Sequence, residues 1–122
     1  MFHPDLLVDG YAITDPKKLK PFFQKEHFCC RIGEEFALDV EFSKERAAFF
    51  GWFHWDEEIY YFDNGSGNRK VVDLLINCCP QERLMCYDPE VIQNIVVYFC
   101  ETGQRNPAYN WIADDFDGME HI

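Results

Sequence analysis

Hydrophobic and polar residues alternate most cleanly from Glu35 to Phe42, with Phe36, Leu38, Val40 and Phe42 on one side and Ala37, Asp39 and Glu41 on the other. A period of two marks a strand with one buried face, so this segment predicts a β-strand. A polar turn at Ser43 to Arg46 leads into Ala47 to Trp55, where both alternating sets are apolar. That pattern predicts a strand covered on both faces, at the centre of a sheet. Asp56, Glu57 and Glu58 then mark a charged reversal, and Ile59 to Phe62 predicts a further strand. Asp63 to Asn68 reads as a loop, its glycines and asparagines suiting positive φ. Connections this short suit antiparallel neighbours.

The period changes after Asp88. Asp88 is placed as an N-cap, Pro89 stands at the first helical position, Glu90 lies in the first turn and Gly103 provides the stop. Between them Val91, Ile92, Ile95, Val96, Phe99 and Cys100 share one broad face, which predicts a helix over 88–102 laid on the sheet. Pro21, best tolerated at a helix start, predicts a helical segment around Phe22 to Phe28. Arg69 to Cys79 fits a strand through Val72, Leu74, Ile76 and Cys78, or a helix through Val72, Leu75, Ile76 and Cys79, with the strand slightly preferred. The fold expected is a single α+β domain over residues 1–122, an antiparallel meander packed by the helix near 88–102. An acidic tail begins at about residue 113 and is docked by Trp111 and Phe116.

Composition supports one self-sufficient core. The chain has 122 residues, 48% of them apolar, with 12 Phe, 6 Tyr and 3 Trp, so neither metal nor disulfide is needed to fold it. Met1 to Gly10 lacks a basic cluster followed by an apolar core, and no apolar run is long enough to cross a bilayer. The expectation is a cytoplasmic protein without membrane contact, its six cysteines reduced and mostly buried. The adjacent pairs Cys29-Cys30 and Cys78-Cys79 are too strained to bridge internally. Asn64-Gly65-Ser66 matches a glycosylation acceptor, which has meaning only on the secretory route.

A net charge of −11 changes the picture most. It repels a phosphate backbone, which excludes direct nucleic-acid binding, and it favours a basic protein partner. Catalytic and metal motifs are missing from the sequence: there is no Cys-x-x-Cys pair, phosphate loop, Gly-x-Ser-x-Gly or His-Glu-x-x-His. His27 beside Cys29 and Cys30 has the residue types of a nucleophile and its base, but free cysteines are commonly buried apolar residues. Asp63 to Asn68 lacks the ligand positions of a calcium loop and reads as a turn. No catalytic, cofactor or metal residue is therefore assigned, and the chain is not expected to be an enzyme. One enzymatic alternative keeps His54 as a general acid or base with Glu57 or Glu58.

What remains is acid beside aromatic. Trp55, Asp56, Glu57, Glu58, Tyr60 and Tyr61 form one group, and Trp111, Asp114, Asp115 and Asp117 form another. Aromatic anchors ringed by charge are the usual make-up of an interface hot spot, so these ten residues are the candidate partner-binding set. In overall type the chain resembles bacterial immunity proteins, the small cytoplasmic partners of secreted toxins such as those of contact-dependent growth inhibition. It shares their small size, acidity, aromatic content and lack of motif or signal. Locally, Trp111-Ile112-Ala113-Asp114-Asp115-Phe116 resembles the closing segment of the SUKH immunity superfamily. The resemblance implies stoichiometric inhibition of a basic nuclease toxin, with carboxylates pairing to Lys and Arg that the toxin offers to phosphates. The same charge fits a phage-type nucleic-acid mimic that inhibits a host defence nuclease.

Overall fold

The computed structural model describes residues 1–54, 58–75 and 79–114. They form one antiparallel sheet, one α-helix and two 3-10 helices, an α+β arrangement in meander order. The strands are β1 (Leu6–Val8), β2 (Tyr11–Ala12), β3 (His27–Ile32), β4 (Phe36–Phe42), β5 (Ala48–His54), β6 (Glu58–Asp63), β7 (Met85–Cys86) and β8 (Asn110–Ala113). Across the sheet the order is β2-β1-β3-β4-β5-β6-β8, with β7 paired to the Ala48–Phe49 end of β5 beyond the reach of β6.

The alternation from Phe36 to Phe42 forms β4, and its partners follow from the period of two. Phe28, Cys30 and Ile32 of β3, Leu38, Val40 and Phe42 of β4, and Ala48, Phe50 and Trp52 of β5 all enter one buried cluster. The helix α1 (Pro89–Thr102) completes that cluster with Ile92, Ile95, Val96, Phe99 and Cys100. Its ends are the ones the sequence predicts. The Asp88 side chain accepts from the Glu90 N–H at 2.9 Å, and Gly103 adopts φ 76° as the left-handed stop. The Gly103 carbonyl then accepts 3.0 Å from the buried Trp52 Nε1, which ties the helix end to β5.

Several expectations are corrected. The helical segment placed at Phe22 to Phe28 is instead a 3-10 helix over Pro16–Gln24, and His27–Ile32 is strand. Asp15 caps that helix by accepting from Lys17 N–H at 2.9 Å, and Pro16 occupies its first turn. Pro21 lies inside it, where the missing N–H and the ring oppose α-helical bonding, and the tighter winding results. Among the described residues 69–75 and 79 there is neither strand nor helix; Val71 makes a single bridge to Gln81, and 76–78 lie outside the described set. Trp111, expected to dock the acidic tail, belongs to β8, which pairs with β6, and Phe116 lies outside the described residues. The β5 strand lies inside the sheet as expected, yet it is sealed on one face only. Phe49 and Phe53 are half-buried and lie outside the main core cluster.

Two turns explain the rest. Asp9-Gly10 joins β1 to β2 with φ 50° and 87°, the left-handed pair that a two-residue hairpin demands. Arg46, a non-glycine residue at φ 66°, closes the β4–β5 connection; its Nη2 donates to the carbonyls of Phe23 (2.6 Å) and Lys25 (2.8 Å), and its guanidinium lies 4.1 Å over the Phe42 ring. Among the described residues no helix is long and apolar enough to cross a membrane.

Candidate interaction site

Strand alternation places Phe49, Gly51 and Phe53 of β5 opposite Tyr61 and Ile59 of β6, on the sheet face turned away from α1. Ile112 of β8 stands opposite Tyr61 and extends that face to the edge. Phe49 and Tyr61 stack with ring centres 5.3 Å apart and planes 20° apart. Phe53, Ile59, Tyr61 and Ile112 are half-buried and none joins the core. Such a surface retains apolar area that a partner can bury.

Carboxylates border it at both ends of the β6–β8 ladder. At one end β8 runs back beside the start of β6, so the Asp114 N–H donates to the Ile59 carbonyl at 2.7 Å. The Tyr61 hydroxyl donates to the Asp114 carboxylate at 3.2 Å. Glu58, the exposed first residue of β6, stands opposite His54 and so lies on the helix side, while Asp114 shares the outer face with Ile59 and Tyr61. At the other end Asp63 faces Asn110, and a cavity of about 330 Å³ opens between Asp63, Asp88, Tyr87 and Tyr109. Each carboxylate there uses one oxygen for a local turn, Asp63 to Gly65 N–H and Asp88 to Glu90 N–H, both at 2.9 Å. Their charge still faces a space of the size and lining that suits a Lys or Arg side chain.

The predicted partner-binding residues separate into three sets. Tyr61 and Asp114 come together as described, whereas Glu58 lies on the helix side. Tyr60 and Trp111 turn to the helix side: Tyr60 meets Trp52 edge-on at 5.9 Å beneath the Arg105 guanidinium, and Trp111 meets Phe62 edge-on at 6.1 Å while donating to the Asn106 carbonyl at 3.0 Å. Trp55, Asp56, Glu57, Asp115 and Asp117 lie outside the described residues. Sequence reasoning missed Phe53, Ile59, Ile112, Asp63, Tyr87, Asp88 and Tyr109. Phe53 and Ile59 read as strand positions and Asp63 and Asp88 as turn and cap, no strand is expected at Ile112, and only the register brings the sheet residues together.

The groups with catalytic residue types are arranged otherwise. His54 faces Glu58 across the ladder, and its ring is stacked on Phe36 at 4.9 Å. Cys29 and Cys30 point to opposite faces of β3. Burial, with Asp39 beside it, pushes the Cys29 thiol up to about 12, the reverse of an activated nucleophile. A hydrogen bond to Cys100 and burial raise the Cys30 thiol well above its ordinary value. All described cysteines are free: Cys30, Cys86 and Cys100 are buried, Cys29 is half-buried and Cys79 is exposed. His27 is engaged with Asp39 at 3.3 Å. Among the described residues no group of three or more His, Cys, Asp or Glu side chains could hold a metal ion.

Comparison with known proteins finds no matching family model, and no curated protein or solved structure matches at a significant level.

Proposed function

We propose that the protein is an immunity-type inhibitor that binds a basic protein, a nuclease toxin, and neutralises it by occluding its active site or substrate surface. The reading is carried by one observation: Asp114 of β8 and Asp39 and Glu41 of β4 border the half-buried outer face of Phe53, Ile59, Tyr61 and Ile112. An apolar centre bordered by carboxylates complements a nuclease surface, where Lys and Arg surround a substrate groove. The net charge of −11 accelerates the encounter, and the few pairs desolvated on docking slow dissociation. The cavity between Asp63 and Asp88 receives one of the partner's cationic side chains. Inhibition of this kind is stoichiometric and needs no cofactor.

The test is titration calorimetry against the product of the adjacent reading frame, with co-expression rescue as the biological readout. The paired reversal Asp39→Lys with Asp114→Lys should slow association and flatten its fall with salt, while Phe53→Ala should speed dissociation. Unchanged binding and protection in both variants at low and moderate salt exclude this surface. Absence of any binding by the wild-type protein excludes the immunity reading itself.

A further inference from the structure

A second cavity has the opposite electrical character. It measures about 740 Å³ and lies between the 3-10 helix Pro16–Gln24 and the first half of α1. Phe23, Phe42, Ile92 and Val97 give it an apolar floor, and Lys17, Lys20 and Arg46 supply its cations. In a chain with twice as many carboxylates as basic groups, no Asp or Glu lines this space. Nor is Lys17, Lys20 or Arg46 engaged in an ion pair among the described residues.

Arg46 is fixed rather than mobile. Its backbone takes a left-handed conformation that disfavours side chains, and the carbonyls of Phe23 and Lys25 together with the Phe42 ring hold its guanidinium at the wall. The lysines are exposed and reach the space from successive turns of the 3-10 helix. A floor that favours hydrocarbon, cations without anions and a volume in the range of small-molecule sites together define a ligand class.

We infer that this cavity binds a free single-chain amphipathic carboxylate of the medium-chain fatty acid type, its tail on Phe23, Phe42, Ile92 and Val97 and its headgroup held by Lys17, Lys20 and Arg46. The inference is independent of the toxin reading, since it concerns a different surface and a different ligand.

The experiment titrates the full chain with monomeric decanoate at low salt, by calorimetry and by nitrogen-proton NMR shifts. Decanol serves as the neutral match and decyltrimethylammonium as the cationic one. Saturable one-to-one binding of decanoate is expected, with shifts centred on residues 16–24 and 89–97 and much weaker binding of both controls. Lys17→Gln with Lys20→Gln should weaken decanoate roughly tenfold, the scale of a lost charge-assisted contact. Lys18→Gln with Lys44→Gln, which removes the same charge from residues that do not line the cavity, should stay within about twofold. Val97→Trp should abolish binding by filling the floor; if it fails to fold, as seen by loss of helical circular dichroism, the lysine pair decides. The proposal is overturned by equal affinity for decanol or the ammonium compound, by an unaffected Lys17 and Lys20 variant, by absence of saturable binding, or by binding to anionic vesicles without binding to the monomer.

Discussion

The two faces of the sheet are built by the same strands and differ in almost everything else. Toward α1, Phe28, Val40, Phe50 and Phe99 are fully buried and form one continuous cluster. On the opposite face Phe49, Phe53 and Tyr61, drawn from the same β5 and β6 strands, remain half-buried among Asp39, Glu41 and Asp114. Successive residues of β5 therefore serve stability and surface chemistry in turn. An apolar run in both phases of a strand need not mean two cores; here it means one core and one half-buried aromatic face.

The sharpest way to break that contrast is to truncate neighbouring rings. Phe50→Ala should destabilise the fold by about 3–5 kcal/mol, the range for a fully buried phenylalanine, whereas Phe53→Ala should cost below about 1 kcal/mol. Urea denaturation of the two variants measures the difference, and equal losses would mean the outer face is core after all. Next comes Trp52→Phe, which keeps most of the packing but strands the buried Gly103 carbonyl; a loss of about 1–3 kcal/mol is expected in the same assay.

The thiols sharpen the comparison through pH. Cys29 faces outward and Cys30 inward, yet both are raised, Cys29 to about 12. The folded state therefore holds these protons after the unfolded chain has released them near pH 9, so stability is fully present below that value. It falls as pH rises from about 9 towards 12, by up to roughly 1.4 kcal/mol per pH unit for each thiol. Cys29→Ala should flatten that slope by one proton's worth between pH 9 and 11. The smallest effect concerns Glu41. Burial raises its carboxyl, and its Oε2 is buried with no hydrogen-bond partner among the described residues. Because Glu41 as a whole is only half-buried, Glu41→Gln should shift stability at pH 7 by no more than about 0.5 kcal/mol, in the stabilising direction. Differential scanning calorimetry of the two proteins checks it.

Where one local rule dominated, the sequence was readable. The alternation of β4 and the Asp88, Pro89 and Gly103 signals of α1 each act within a few residues, and the structure follows them. β3 was hidden because Phe22, Phe23 and Phe28 suggest a helical face while Phe28, Cys30 and Ile32 alternate, and Pro21 tipped the reading to helix. Asp9-Gly10 carried a hairpin signal, but strands of three and two residues offer almost no pattern beside it. The candidate site was legible only in its residue types. The acid and aromatic residue types could be read from the sequence; that Asp114 meets Ile59 and Tyr61 depends on pairing between β6 and β8, which no local period encodes. The basic rim of Lys17, Lys20 and Arg46 was masked for the same reason, by an overall charge of the opposite sign.

The ladder between β6 and β8 has a consequence for how the protein is made. The stretch between these strands includes the 63–68 loop, β7 and α1, so β6 emerges from a ribosome long before its outer partner. During that interval β6 has β5 on one side and a row of unpaired backbone groups on the other, with Tyr60 and Phe62 still lacking Trp111 beside them. An open edge of this kind can recruit another nascent strand, and the risk lasts until residues 110–113 are synthesised. Four residues at the end of the sheet thus determine how long a growing chain stays vulnerable to mispairing. Chains stopped before Asn110 should form aggregates on the ribosome's timescale even though every residue of the helix-covered core cluster has already been made.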